Sequence, residues 1–356
     1  MAYFLKTGTT YQVTTKESMD LHEKLPVGNY VIKKNEMSGQ LYLETIDNFE
    51  IAGKIYGDTM RNTKRILHTF DSRTNSTGVI LSGEKGSGKT LLAKMLAVTA
   101  AKQDIPTIVI NAPWAGDKFN SFMQMIDQPC VILFDEFEKV YDRDSQESIL
   151  TLLDGVFPSK KLFVLTCNDK YRIDSHMRNR PGRIFYMLDF KGLDQDFIIE
   201  YCNDNLLNKS HIQQICKVAM MFDQFNFDML KSLVEEMNRY NEAPQESLRM
   251  LNAKPEFSGE SNYAFKLQVN GEFIEDEAFD QTQWSGNPLY SRISIDYKSV
   301  EKDEDGDSVW ESSRFETSDL KSIDSSTGKF IFSNAFGEKI VLTKIVPKNF
   351  QFYDAL

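Results

Sequence analysis

One run of eight residues carries the strongest chemical signal in this sequence. It fits the pattern G-x-x-x-x-G-K-[ST] and follows an apolar segment, 78–82, that predicts a strand. The residues are Gly83, Glu84, Lys85, Gly86, Ser87, Gly88, Lys89 and Thr90. Glycines let successive backbone N–H groups turn inward around phosphate oxygens, and a helix beginning there adds partial positive charge. We therefore predict a nucleotide site in which Lys89 reaches the β- and γ-phosphates and the Thr90 hydroxyl ligates Mg²⁺.

Two adjacent carboxylates, Asp135 and Glu136, follow another apolar run at 130–134. A strand that ends there would place both at the carboxyl edge of a parallel sheet, where ligands bind. We predict that Asp135 holds Mg²⁺ through water and that Glu136 polarises the attacking water as a general base. A purely structural pair is the alternative.

A third apolar run, 162–167, ends in Asn168. Its carboxamide is placed to orient the attacking water or to contact the γ-phosphate, and an Asx-turn at the strand end is the alternative. Farther on, Arg180 and Arg183 flank a Pro-Gly pair in a stiff, cation-rich loop, with Arg178 just before them. An arginine of this kind, often supplied by a neighbouring chain, stabilises the transition-state charge on a transferred phosphoryl group.

Alternating strands and helices are predicted around these groups. The predicted strands are 78–82, 107–112, 130–134, 162–167 and 184–190, and the predicted helices are 51–70, 89–102, 118–126 and 146–153. Apolar strands separated by helices indicate a parallel sheet that is covered on both faces. Residues 193–251 are predicted to be helical throughout, whereas 1–48 and 253–356 contain short β-like runs.

Composition narrows the class of protein. The 356 residues predict two or three domains, and four cysteines in so long a chain exclude a disulfide framework. No apolar stretch approaches the roughly 18 residues of a membrane-spanning helix, and the first residues lack the long apolar segment of a signal peptide. We therefore expect a soluble, cytoplasmic protein without a membrane partner. The net charge is −11, of which residues 253–356 carry −8, so general attraction to nucleic acid is not expected.

The chain resembles the AAA family of AAA+ ATPases over about residues 50–252. The resemblance lies in the order of four elements: the phosphate loop, the Asp-Glu strand end, Asn168 and the arginine pair. The resemblance implies an ATP hydrolase. It also implies an α/β P-loop NTPase core over 49–192 and a helical lid over 193–252. From the β-like runs we also predict a small N-terminal β region over 1–48 and a C-terminal all-β module over 253–356.

Further site residues are implied by the same resemblance. Arg180 and Arg183 would act as arginine fingers on the nucleotide of the next subunit, and Arg178 falls outside that pair. Tyr56 and Gly57 are similar in position to the segment that contacts adenine. A buried tyrosine ahead of a helix is the alternative there.

Two departures from the family pattern stand out. Asn168 lies only 33 positions after Asp135, which indicates trimmed surface loops. The lid segment FNFDMLKSLVEE offers no obvious arginine to sense the γ-phosphate. A further similarity, in YFLKTGTTYQVT and LPVGNYVI, is to AAA proteins encoded by tailed bacteriophages.

An arginine that acts in trans requires the front of one subunit to meet the back of the next, and such interfaces close into rings or extend into helices. The family suggests a hexamer. Trp114, Ala115 and Gly116 follow the second strand of the sheet and resemble the pore-loop motif that grips polypeptide, whereas packing of Trp114 as a core anchor is the alternative.

Three functions follow from these expectations. The first is a ring that uses ATP hydrolysis to remodel or unfold a protein partner. The second is a nucleic-acid-associated loader, which would use the basic helix face formed by Arg61, Lys64, Arg65 and His68, although a solvated or inter-subunit face is the alternative. The third is a slow structural or switch ring that assembles on ATP.

Overall fold

The computed structural model describes residues 2–7, 9–15, 20–154, 160–178, 180–190, 192–220, 222, 225–251, 261–302, 308–324 and 329–345. The chain divides into two compact units, 1–191 and 192–356. The predicted boundary between residues 252 and 253 lies outside the described residues, and the finer division into four domains stays a prediction.

The first unit contains nine strands and six helices within its described residues. The strands are β1 (Ala2–Thr7), β2 (Thr10–Thr15), β3 (Asn29–Lys34), β4 (Leu41–Ile46), β5 (Thr77–Gly83), β6 (Thr107–Ile110), β7 (Cys130–Phe134), β8 (Lys161–Cys167) and β9 (Ile184–Phe190). The helices are α1 (Thr59–Ser72), α2 (Lys89–Ala101), α3 (Asp117–Gln124), α4 (Phe137–Val140), α5 (Arg143–Leu153) and α6 (Ser175–Arg178).

Seven of these strands form one sheet in the order β4-β3-β6-β7-β8-β5-β9. Every pairing in it is parallel except that of β4 with β3. Strands β1 and β2 form a separate antiparallel hairpin. The predicted α/β core is therefore confirmed, and the strand segments within 29–46 extend its sheet.

Alternate residues of the central strands pack on opposite faces of the sheet, because successive side chains of a strand point to opposite sides. Val131 and Leu133 of β7 pack in a cluster with side chains of α1 and α2. Ile132 and Phe134 pack in a second cluster with side chains of α3 and α5. Helices therefore cover both faces, as predicted, and strands that are buried on both sides need no polar alternation.

The prediction of a helix from about residue 51 was wrong at its start, because α1 begins at Thr59. Gly53 and Gly57 adopt positive φ angles of 79° and 65°. This left-handed conformation interrupts a right-handed helix and is available to glycine at little cost. The apolar residues of the segment were mistaken for helical periodicity.

The second unit begins with four helices and continues with eight strands among its described residues. The helices are α7 (Gln195–Asn205), α8 (Ile212–Met220), α9 (Phe227–Tyr240) and α10 (Pro244–Met250). The strands are β10 (Ser261–Val269), β11 (Glu272–Phe273), β12 (Trp284–Gly286), β13 (Ile293–Lys302), β14 (Ser308–Phe315), β15 (Leu320–Asp324), β16 (Lys329–Ser333) and β17 (Lys339–Lys344).

These strands pair in antiparallel fashion, as a six-stranded sheet and the two-stranded β13–β14 sheet. One apolar cluster joins side chains of both sheets, among them Trp284, Ile295, Phe315, Phe332 and Leu342. The predicted C-terminal β architecture is confirmed.

The four cysteines, Cys130, Cys167, Cys202 and Cys216, are all buried free thiols. Across the described parts of the chain, the helices are too short or too polar for any of them to traverse a bilayer.

Candidate active site

Three neighbouring strands of the central sheet position the predicted chemical groups. Strands β7, β8 and β5 lie side by side and run parallel. Their carboxyl ends therefore meet at one edge of the sheet, where the chain continues into the phosphate loop, the Asp-Glu pair and Asn168. The phosphate loop, the Asp-Glu pair and Asn168 therefore lie at the same edge of the sheet.

The phosphate loop joins β5 to α2 through backbone conformations that favour glycine. Gly83, Gly86 and Gly88 have φ angles of 147°, 73° and 99°. No side chain caps the N-terminus of the 13-residue helix α2, so its first N–H groups are available to an anion. The Ser87 hydroxyl is buried and has no hydrogen-bond partner among the described residues. An orphan donor beside uncapped N–H groups fits a phosphate.

Lys89 occupies the centre of this loop with only 7% of its surface exposed. Its ammonium donates to the carbonyl oxygens of Gly83 (2.5 Å) and Glu84 (2.7 Å) and to Oδ1 of Asn168 (3.3 Å). Burial lowers the pKa of Lys89, and nearby acidic groups, among them Cys167 and Glu138, oppose that shift. The phosphate-loop lysine and the strand-end asparagine thus belong to one hydrogen-bonded group.

The turn after β7 holds Asp135 and Glu136 in fixed positions. Glu136 adopts a left-handed backbone conformation, with φ and ψ both 47°, and its N–H donates to the Thr166 hydroxyl at 2.9 Å. The same hydroxyl donates to Asp135 Oδ1 at 2.6 Å. Thr166 lies on the neighbouring strand β8, so a residue that the sequence analysis missed contacts both members of the pair.

The Glu136 carboxylate forms an ion pair with Lys139, whose Nζ lies 2.5 Å from Oε1. The hydrogen bond from Lys139 is the main cause that lowers the pKa of Glu136. The carboxyl group is therefore ionised at neutral pH, as a general base requires.

A third carboxylate, that of Glu138 in α4, was also missed. Its Oε1 accepts the backbone N–H of Asn168 at 2.8 Å, and its Oε2 is buried with no hydrogen-bond partner among the described residues. Glu138 therefore connects the end of β8 to α4, which follows the turn after β7. The only sequence signal was a further acidic residue three positions after Asp135.

The predicted Mg²⁺ ligands are oxygen donors at this edge of the sheet. Thr90 lies in the first turn of α2 and Asp135 directly follows β7, and both are exposed. A hydroxyl and a carboxylate suit a hard divalent cation, which usually keeps several water ligands as well. The donor set therefore fits Mg²⁺.

The arginine pair has two different environments. Arg183 donates from Nε and Nη2 to the carboxylate of Asp154, the latter at 2.6 Å, and from Nη1 to the His176 carbonyl oxygen at 3.0 Å. Its side chain is only 10% exposed. Arg180 is exposed and forms no side-chain hydrogen bond or ion pair with any described residue. Arg178 is held by the Ile173 carbonyl oxygen at 2.9 Å.

The remaining candidates are Tyr56, Gly57 and Trp114. Tyr56 and Gly57 lie in the turn before α1, and the Lys54 ammonium is 4.9 Å from the centre of the Tyr56 ring. Trp114 is partly buried and packs against the core cluster that contains Phe134, while its carbonyl oxygen accepts from the Tyr141 hydroxyl at 2.9 Å. This packing favours the core-anchor interpretation of Trp114.

Comparison with known proteins shows which family the site region resembles. Residues 79–190 match the model of the family described as "ATPase family associated with various cellular activities (AAA)". The "Putative cell division cycle ATPase" of Plasmodium falciparum is 30% identical over 142 residues, which cover 34% of this chain and 11% of that protein. "Peroxisomal ATPase PEX1" of Homo sapiens is 26% identical over 177 residues, covering 44% of this chain and 14% of that protein.

A third relative, "Nuclear valosin-containing protein-like" of Mus musculus, is 28% identical over 127 residues, 30% of this chain and 14% of that protein. The alignments thus span between a tenth and a fifth of each relative's length. The matched family region runs from β5 to β9 and contains the phosphate loop, the Asp-Glu pair, Asn168 and both arginines. Residues 79–190 of this chain are therefore an ATPase domain of the AAA family.

Proposed function

We propose that the protein is a Mg²⁺-dependent ATP hydrolase that assembles into a ring, a hexamer by family resemblance, and uses hydrolysis to remodel or unfold a protein partner. One observation is the main support for assembly into a ring. Arg180 is exposed and unpaired among the described residues, although it lies in the loop from which the family supplies its arginine finger. The Asp154 carboxylate attracts its guanidinium without a close ion pair, so Arg180 can extend to the nucleotide of another subunit.

The proposed chemistry divides among residues of the sheet edge. The phosphate loop from Gly83 to Thr90 binds the phosphates, and bound Mg²⁺ supplies charge neutralisation at the phosphate oxygens. Lys89 contributes a fixed positive charge. Glu136 accepts a proton from the attacking water, and Asn168 orients that water or the γ-phosphate. Arg180 of the adjacent subunit stabilises the charge that develops in the transition state.

A protein partner is favoured over nucleic acid by the character of two surfaces. The β1–β2 hairpin exposes Phe4, Tyr11 and Val13 at 65%, 58% and 71%. Exposed apolar side chains that cluster on one hairpin suit protein contact. Residues 253–356 carry a net charge of −8, which opposes binding to phosphates.

A nucleic-acid loader is the second candidate function. It is favoured by an exposed basic face of α1, formed by Arg61, Lys64, Arg65 and His68. Arg61 is partly neutralised, because its guanidinium lies 3.6 Å from Asp58.

The decisive experiment mixes two inactive variants. Glu136→Gln and Arg180→Ala should each bind ATP yet lose hydrolysis. In mixed assemblies some interfaces contain an intact Glu136 facing an intact Arg180, so hydrolysis should partly return. Arg172→Ala, which removes another exposed arginine, should leave hydrolysis near the wild-type rate. No recovery on mixing, despite co-assembly, would count against an arginine acting in trans.

The partner class is tested by the response of hydrolysis to added polymers. We expect stimulation by an unfolded polypeptide and no stimulation by single-stranded DNA. Stimulation by DNA that is lost when Lys64 and Arg65 are replaced by alanine would support the loader. Negligible turnover under every condition would support the structural ring.

A further inference from the structure

One hydroxyl group connects the two carboxylate residues of the proposed site. Thr166 is the penultimate residue of β8 and is only 2% exposed. Its hydroxyl donates to Asp135 Oδ1 at 2.6 Å and accepts the Glu136 N–H at 2.9 Å. Both contacts reach across from β8 to the turn that follows β7.

Each contact constrains a different property of that turn. A short O–H···O⁻ bond fixes the rotation of the Asp135 carboxylate and leaves its other oxygen for a ligand. The bond from the Glu136 N–H satisfies a backbone donor of a residue in the left-handed conformation. Residues other than glycine adopt that backbone conformation rarely. The hydroxyl therefore acts on the proposed Mg²⁺ ligand and on the backbone that presents the proposed base.

Other buried threonines of the same sheet have no side-chain hydrogen bond among the described residues. Thr77 in β5 and Thr107 in β6 are at most 1% exposed, and their hydroxyls have no hydrogen-bond partner among the described residues. Burial in this sheet is therefore possible for a threonine whose hydroxyl has no hydrogen-bond partner. The two contacts of Thr166 are specific to the site.

We infer that Thr166 is a positioning residue of the ATPase site, whose hydroxyl sets both the orientation of Asp135 towards Mg²⁺ and the placement of Glu136. This inference rests on the proposed function. Groups that orient a metal ligand typically change metal affinity or activity about 10- to 100-fold when they are removed.

The test compares Thr166→Val, which keeps shape and loses the hydroxyl, with Thr166→Ser, which keeps the hydroxyl. Thr77→Val is the matched control. We measure the Mg²⁺ concentration that gives half-maximal turnover, and the binding of a fluorescent ADP analogue with and without Mg²⁺. Thr166→Val should raise the half-saturating Mg²⁺ about 10-fold or more and lower kcat, with ADP binding in EDTA unchanged. Thr166→Ser and Thr77→Val should resemble the wild type.

A double-mutant cycle separates positioning from general damage. If Thr166 acts through Asp135, Thr166→Val should not shift the Mg²⁺ dependence of nucleotide binding further in an Asp135→Asn background. Should Thr166→Val fail to fold, Thr166→Ala replaces it, because the smaller side chain cannot clash. Wild-type Mg²⁺ dependence in the folded variant, or equal losses in Thr166→Ser, would overturn the inference.

The two proposals fail in distinguishable ways. If the wild-type protein binds ADP more tightly with Mg²⁺ but never hydrolyses ATP, the proposed hydrolase is wrong, and the Mg²⁺ dependence of binding still decides the role of Thr166. If the wild type hydrolyses ATP and Thr166→Val is indistinguishable from it, only the inference about Thr166 is wrong. If the wild type binds no nucleotide, both are overturned.

Discussion

Arg180 and Arg183, three positions apart in the sequence, are bound to different degrees by the rest of the chain. Both are attracted by Asp154, but only Arg183 forms hydrogen bonds with it. Arg183 is bound by Asp154 and by the His176 carbonyl oxygen, whereas Arg180 is exposed and unpaired among the described residues. A guanidinium already engaged in its own chain must leave those contacts before it can reach another subunit. We therefore expect Arg180→Ala to affect hydrolysis alone, and Arg183→Ala to affect stability as well.

The Asp154–Arg183 pair gives a pH-dependent prediction. The hydrogen bond from Arg183 lowers the pKa of Asp154. Since Asp154 is 44% exposed, solvent weakens the pair, and Asp154→Asn should lower the free energy of unfolding by only about 1 kcal/mol at pH 7. A lowered folded-state pKa contributes stability that is complete above the ordinary value of about 3.9 and is lost as the pH falls through the folded-state pKa.

Urea unfolding of wild type and Asp154→Asn at several pH values checks this prediction. The difference between the two proteins should be constant from pH 7 to pH 5 and should shrink at lower pH, for as long as both remain folded. A difference that does not change with pH would show that charge is not its source.

Some site residues could be predicted from the sequence and others could not. The phosphate loop and the Asp-Glu pair have fixed spacing and follow apolar runs, so a local pattern identifies them. Thr166 lies inside an apolar strand, where one hydroxyl leaves no pattern. The partner of Arg183 lies 29 positions away, and only the folded chain brings it close.

At the scale of elements, close approach of β5 and β9 positions the phosphate loop. A Cβ atom on Gly83 would lie 2.2 Å from the Phe190 carbonyl oxygen, and Gly83 has a φ of 147°. Gly83→Ala must therefore displace β9 or the start of the loop. We expect it to destabilise the first unit by about 2 kcal/mol or more and to weaken nucleotide binding.

Gly182→Ala is the matched control, because among the described residues no atom beyond Gly182 and its two chain neighbours lies within 4 Å of the added Cβ. Denaturant unfolding and nucleotide binding should both remain near the wild-type values for this variant. Equal behaviour of the two alanine variants would contradict the close-approach explanation.

The sequence predicted the central sheet better than the C-terminal strands. Strands buried on both faces are continuous apolar runs, and β7, which is one of them, begins and ends where predicted. The edge strand β9 also has the predicted bounds. In contrast, the sequences of β14 and β15, SVWESSRF and LKSID, contain few apolar residues and have no clear strand pattern. Pairing with β13 and β16 stabilises these strands, and that is a non-local property.

At the scale of the whole molecule, the division into two compact units predicts two unfolding events. Gly83→Ala should lower the midpoint of one calorimetric transition, and Phe332→Ala, which removes a fully buried ring in the second unit, should lower the other. ADP with Mg²⁺ should raise the transition that Gly83→Ala lowers. One cooperative transition that both variants shift equally would contradict independent units.

The left-handed backbone of Glu136 has a consequence for how this protein can change over generations. Glycine fits that conformation with less strain than glutamate does. A population selected only for resistance to heat would therefore gain from Glu136→Gly while discarding the group proposed to activate water. At position 136, improvement of stability therefore opposes the proposed activity.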